Sequence, residues 1–145
     1  MLFGTPFAFC FFSTLHGQSS IKAHSGPMNL RLRMHLPLVV PSKNAHSDLS
    51  AVQRNNRSGG DCGSSSRPKT GIQVADQVRE WQEGSAIVLD DSYVHEVWND
   101  TDQSRVLLLL DLWHPDVRVE ERDKITNMFE YARGKGWIGG SNKRQ

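Results

Sequence analysis

Six histidines are the side chains here best suited to hold a transition metal or to move a proton at neutral pH. His16 lies in a turn-like stretch and His46 in a polar segment, and both read as solvent residues. His114 precedes Pro115 at the end of a strand-like run and reads as structural. His24, in AHSGP, and His95, in YVHEVW, stand 71 positions apart, far from any zinc-finger spacing. Spacing alone therefore makes neither a ligand. Cys10 and Cys62 form neither a CxxC motif nor a disulfide framework.

The segment Leu30 to Val40, LRLRMHLPLVV, alternates strictly. Leu30, Leu32, Met34, Leu36 and Leu38 share one face; Arg31, Arg33 and His35 share the other. Period two is the signature of a strand, with same-face neighbours about 7 Å apart. Two readings of the cationic face stay open. It is the wet side of an amphipathic sheet, or it is the polar lining of a barrel that holds an anion, for which the arginine fork matches a carboxylate.

Other elements must position this row. Ser85 to Trp98 reads as two strands separated by a turn at Asp90-Asp91-Ser92, after a turn-like Gln82-Glu83-Gly84. Arg105 to Trp113, RVLLLLDLW, is almost continuously apolar and predicts a strand buried on both faces. Val119 to Arg133 predicts one short amphipathic helix packed outside the sheet, followed by a frayed tail. Between the sheet segments, Gln53 to Gly71 holds no aliphatic or aromatic side chain, so residues 42–71 read as a flexible insertion. Short strands, Gly-rich turns and one helix point to a mainly β fold, an antiparallel sandwich or jelly roll.

The 145 residues make one domain, and 17 basic against 16 acidic side chains leave no one-signed surface for nucleic acid. No run reaches the length of a membrane-spanning helix. The apolar start, MLFGTPFAFCFF, lacks the basic leading region and the cleavage site of a signal peptide. Nothing in the composition fixes a compartment.

Taken together and in order, HSGPMNLRLRMHL (24–36), DDSYVHEVWN (90–99), Arg105 and DLWHPD (111–116) resemble the aspartyl/asparaginyl β-hydroxylase family of iron(II)- and 2-oxoglutarate-dependent dioxygenases. The resemblance implies a double-stranded β-helix, the cupin-like jelly roll, over residues 12–117, with residues 1–11 an apolar segment of uncertain role and 118–145 the helix and tail. It also implies Fe(II) held by His24 and His95, with Gly26 standing where the wider oxygenase group has a third, acidic ligand. It makes Arg105 the grip on the distal carboxylate of 2-oxoglutarate, assisted by Ser13, and puts Arg33 and His35 near the other carboxylate. The implied reaction uses O2 and 2-oxoglutarate to hydroxylate the β-carbon of Asp or Asn in a peptide or protein, releasing succinate and CO2.

Two features pull away from that substrate. Relatives carry further sequence upstream that completes barrel and substrate groove, which points to a barrel truncated at its N-terminal side. The helical-repeat domain with which animal members hold substrate is absent. A relative acting on a lipid-linked acyl chain or a small molecule, or a catalytically incomplete jelly-roll remnant, are the alternatives.

Overall fold

A computed structural model describes residues 8–41 and 67–138. The chain runs β1 (Cys10–Leu15), β2 (Ser19–His24), β3 (Arg31–Val39), β4 (Thr70–Val74), β5 (Gln77–Arg79), β6 (Ile87–Leu89), β7 (His95–Asn99), β8 (Arg105–Trp113) and α1 (Val119–Gly134). All pairings are antiparallel, in two four-stranded sheets of order β1-β8-β3-β6 and β2-β7-β4-β5. That order is a jelly roll: the chain crosses repeatedly from one sheet to the other and builds both together, and the described residues supply eight strands.

The core lies between the sheets. Leu15, Ile72, Trp81, Leu89, Val97, Leu107 and Leu109 form its buried cluster. Register carries the row of cations inward as well: Arg33 faces Asp111 and His35 faces Leu109 across β3 and β8. Arg31 and His35 are buried, whereas Leu32, Met34 and Leu36 on the apolar face are only half-buried. The lining, not the wet face, is therefore the cationic side of β3. β8 behaves in the same way, because Arg105, Leu107, Leu109 and Asp111 are buried while Val106, Leu108, Leu110 and Leu112 are half-buried. The expectation of a strand buried on both faces is corrected: its second face lies on the outer surface of the first sheet, beside exposed Phe12 and Val88.

Asn99 closes one end of the barrel. It is wholly buried, and its Nδ2 lies 2.8 to 3.1 Å from the carbonyls of Leu15, His16 and Gln103. The turn after β1 and the turn before β8 are thereby tied to β7, as the buried backbone acceptors of both turns require.

Two boundaries differ from those read in the sequence. β1 begins at Cys10, so the last two residues of the apolar 1–11 segment belong to the sheet; residues 1–7 lie outside the described residues. The 42–71 stretch ends in structure, with Thr70 and Gly71 buried in β4, while residues 42–66, with His46 and Cys62, lie outside the described residues. Gly71 is in that strand because a Cβ there would stand 2.7 Å from the Trp98 ring. Trp98 is covered by this same segment: its Nε1–H donates to the Pro68 carbonyl at 2.7 Å and the Arg67 guanidinium sits 4.2 Å from its ring. Finally, α1 forms where expected, its start held by reciprocal Arg118–Glu121 contacts, but buries none of its residues. Ile125, Phe129 and Ala132 make an apolar stripe that is only half-buried, which is less than a core-facing helix needs. Residues 139–145 lie outside the described residues. Among the described residues no helix is long and apolar enough to cross a membrane.

Candidate active site

His24 and His95 end up as direct neighbours across β2 and β7, in register beyond an irregularity that separates Ile21 from His24. Their ring centroids are 4.2 Å apart and tilted by 55°. Each ring is fixed in the same way. His24 Nδ1 lies 2.8 Å from the Lys22 carbonyl and His95 Nδ1 2.9 Å from the Tyr93 carbonyl, both two residues back along the chain. A carbonyl only accepts, so each Nδ1 carries a hydrogen and each Nε2 is the ring nitrogen left to meet a ligand. His95 is buried and His24 exposed, which places the pair at the rim of the barrel.

No third ligand comes from position 26. A Cβ on Gly26 would meet the Asp91 carboxylate at 2.7 to 2.8 Å, and the Gly26 N–H donates to the Asp91 backbone carbonyl. Among the described residues no group of three or more His, Cys, Asp or Glu side chains converges as a metal site. Asp91 is wholly buried, yet its Oδ1 has no hydrogen-bond partner. Two pre-oriented imidazoles facing each other fit a divalent ion that keeps open positions for other ligands.

Deeper on the same face of the first sheet, Arg31 and Arg33 meet Asp91 and Asp111. Arg31 donates to Asp91 Oδ2 at 3.0 Å and Asp111 Oδ2 at 2.8 Å. Arg33 reaches Asp91 Oδ2 at 3.2 Å and grips Asp111 by two bonds, Nε to Oδ1 at 2.8 Å and Nη2 to Oδ2 at 3.2 Å. Two cations and two anions balance. Asp91 and Asp111 belong to the site's framework and were hidden in the sequence, Asp91 in a turn and Asp111 in an apolar run. Their odd-numbered parity with Arg105, Leu107 and Leu109 is the signal that finds Asp111. Arg33 is thus already paired with acids, and among the described residues one buried arginine has no acidic partner.

That one is Arg105. It is 1% exposed, and its Nη1 makes only two long contacts, at 3.4 Å to the carbonyl and hydroxyl oxygens of Ser13. Its Nε has no partner, and burial pulls its pKa down to about 10. The guanidinium carbon sits 4.5 Å from the centre of the Trp81 ring, and His35 stacks on Trp81 at 6.3 Å. The His35 Nδ1 and the Trp81 Nε1 are also buried without partners. Burial above all, then Arg105, Arg33 and His95, hold His35 down to a pKa of about 3 against a raising effect of Asp111, so its imidazole is neutral. Trp81 was not singled out by the sequence. A separate cleft of about 350 Å³ opens between β5 and β6, lined by Arg79, Asp90 and Tyr93 among others, and includes neither histidine of the pair nor Arg31, Arg33, Arg105, Asp91 or Asp111.

Sequence comparison supplies the relatives. The profile of the aspartyl/asparaginyl β-hydroxylase family matches residues 1–115. An aspartyl/asparaginyl β-hydroxylase of Mus musculus is 32% identical over 111 residues, covering 77% of this chain and 12% of that protein. The ornithine lipid ester-linked acyl 2-hydroxylase of Rhizobium tropici is 38% identical over 104 residues, covering 72% of this chain and 29% of that protein. The chain thus spans well under a third of the length of either relative. Among solved structures, a protein of Thermus thermophilus superposes with a TM-score of 0.46 at 12% identity, over 78% of this chain and 79% of the other. A match across residues 1–115, carried on the same sheet pair that brings His24 and His95 together, makes this chain a member of the aspartyl/asparaginyl β-hydroxylase family.

Proposed function

We propose that the chain is the catalytic barrel of an Fe(II)- and 2-oxoglutarate-dependent hydroxylase acting on the β-carbon of Asp or Asn in a peptide or protein. The observation that carries this reading is the coexistence, in one barrel, of two adjacent imidazoles each anchored through Nδ1 and a buried guanidinium with no acidic partner among the described residues. A dianionic cosubstrate needs such a cation, because a carboxylate leaving water without one pays several kcal/mol of desolvation.

His24 and His95 would hold the iron, and Arg105 with the Ser13 hydroxyl would hold the distal carboxylate of 2-oxoglutarate. The iron, when bound with its cosubstrate, supplies the oxidising power of O2. His35 stays neutral and donates or accepts a hydrogen bond near the other carboxylate without adding charge. Arg33 would lie near it, its plane fixed by Asp111. Asp91 keeps Gly26 as glycine, two residues along the chain from His24.

A second substrate reading rests on the Rhizobium relative, whose identity to this chain is 38% against 32% for the mouse hydroxylase: a lipid-linked acyl chain in place of a peptide. Incubation with Asp-bearing peptide and with acylated lipid, followed by mass spectrometry for an added oxygen, separates the two.

The test of the centre itself is His95→Ala. One remaining protein ligand cannot hold Fe(II) against water, so iron-dependent succinate production should vanish, while His46→Ala turns over as wild type. Equal loss in both variants, or in neither, means that the ligands are elsewhere; no turnover in the wild type favours a non-catalytic remnant.

A further inference from the structure

Arg105 and Arg31 are both buried arginines, but they are held differently. Arg31 is tied by two carboxylates, whereas among the described residues the hydrogen bonds of Arg105 are the 3.4 Å contacts to Ser13. A long flexible side chain with so few bonds needs something else to fix its plane. The surface that does so is the Trp81 indole, 2% exposed, 4.5 Å beneath the guanidinium.

Trp81 is itself fastened from outside the sheets. It precedes an isolated bridge between Gln82 and Ser85. The Gly84 N–H donates to the Pro37 carbonyl at 2.9 Å, and Glu83 Oε1 accepts from the Val40 N–H at 2.8 Å. The loop is thus clamped to the end of β3, and its tryptophan is driven into the core beside β8. The ring also meets His35.

The chemistry of the two kinds of support differs. A carboxylate would orient Arg105 but would also consume its donors and cancel its charge, leaving nothing for an incoming anion. An aromatic face attracts the cation through its quadrupole and leaves every N–H at the guanidinium edge available.

We infer that Trp81 is a positioning residue for anion capture: its indole face holds the Arg105 guanidinium flat and uncompensated so that its edge can grip a ligand carboxylate. The inference rests on the cosubstrate reading above in naming 2-oxoglutarate as that ligand. It concerns a residue that touches the arginine and not the ligand.

The experiment is anaerobic calorimetric titration of 2-oxoglutarate into the Mn(II)-loaded protein, comparing wild type with Trp81→Phe, Trp81→Leu, Arg105→Ala and the Trp81→Leu/Arg105→Ala double variant, with circular dichroism to establish folding. Trp81→Phe keeps an aromatic face and should bind within about threefold of wild type, whereas Trp81→Leu should lose about tenfold or more. In the Arg105→Ala background, Trp81→Leu should change the remaining affinity by less than about twofold, because the tryptophan acts through the missing arginine. Trp81→Met, closer in reach, replaces the leucine variant if that one does not fold. Equal losses for phenylalanine and leucine, or the full loss repeated in the double variant, overturn the positioning role while leaving the cosubstrate reading intact. A wild type that folds and binds no 2-oxoglutarate overturns both.

Discussion

β3 and β8 place two guanidinium neighbourhoods on one inner face, and they are built on opposite rules. At the Arg31 end, two cations and two carboxylates interlock at 2.8 to 3.2 Å and satisfy one another. At the Arg105 end of the same strand pair, a cation lies equally deep with an indole face where a carboxylate would be. The difference teaches that burial of charge alone does not mark a binding site. The balanced cluster has already been solvated by its own acids and functions as framework. The unbalanced one still carries the desolvation penalty, which a ligand anion would relieve.

Stability measurements should separate the two ends sharply. Arg31→Met leaves Asp91 and Asp111 buried against one remaining cation, and should lower the unfolding free energy by about 3 to 5 kcal/mol in urea titration. A loss below about 1 kcal/mol would mean that the cluster opens to water and is no framework.

Arg105→Met is the opposite case. It removes a buried charge that has no acid to abandon, so stability should stay within about 1 kcal/mol of wild type, the lost cation–π contact being offset by the lost desolvation. The same substitution should weaken 2-oxoglutarate binding by about 2 to 5 kcal/mol, at least tenfold, with Mn(II) affinity retained. If both arginine variants destabilise alike, the distinction between framework and receptor fails.

How much of this could be read from the sequence depends on which signals are local. Period two from Leu30 to Val40 is local, and it yields β3 together with the face shared by Arg31, Arg33 and His35. Alternation is symmetric, however, and does not say which face turns inward. That is decided by Leu107 and Leu109, with which the cationic row shares the interior. Asp111 was hidden because an acid within RVLLLLDLW reads as an interruption until its parity with Arg105 is noticed. The start of β4 was hidden because Thr70 and Gly71 have no large apolar side chain to announce a strand; the glycine is required by the Trp98 ring, far along the chain. Trp81 was invisible because its place is set by hydrogen bonds from its loop to Pro37 and Val40. The His24 and His95 pairing was accessible only through family resemblance, since register across β2 and β7 is not written in either strand alone.

The smallest expected effect probes the boundary between the two ends, where His35 sits. It is faced by Arg33 from its own strand, by Arg105 and Asp111 from β8 and by His95 from β7, and burial dominates, holding it at about 3 instead of 6.5. The unfolded chain therefore binds a proton that the folded chain refuses throughout the interval between those values. Stability must rise with pH across that interval and become independent of this group above it. Integrating between about pH 5.5 and 6.5, this histidine alone should contribute about 1 kcal/mol of stabilisation on going up. Denaturant titrations at the two pH values, on wild type and His35→Gln, give its share by difference: the variant should gain about 1 kcal/mol less than wild type. If the two proteins change equally, His35 takes up a proton in the fold, and the acid-free end of the face is better compensated than the distances around Arg105 imply.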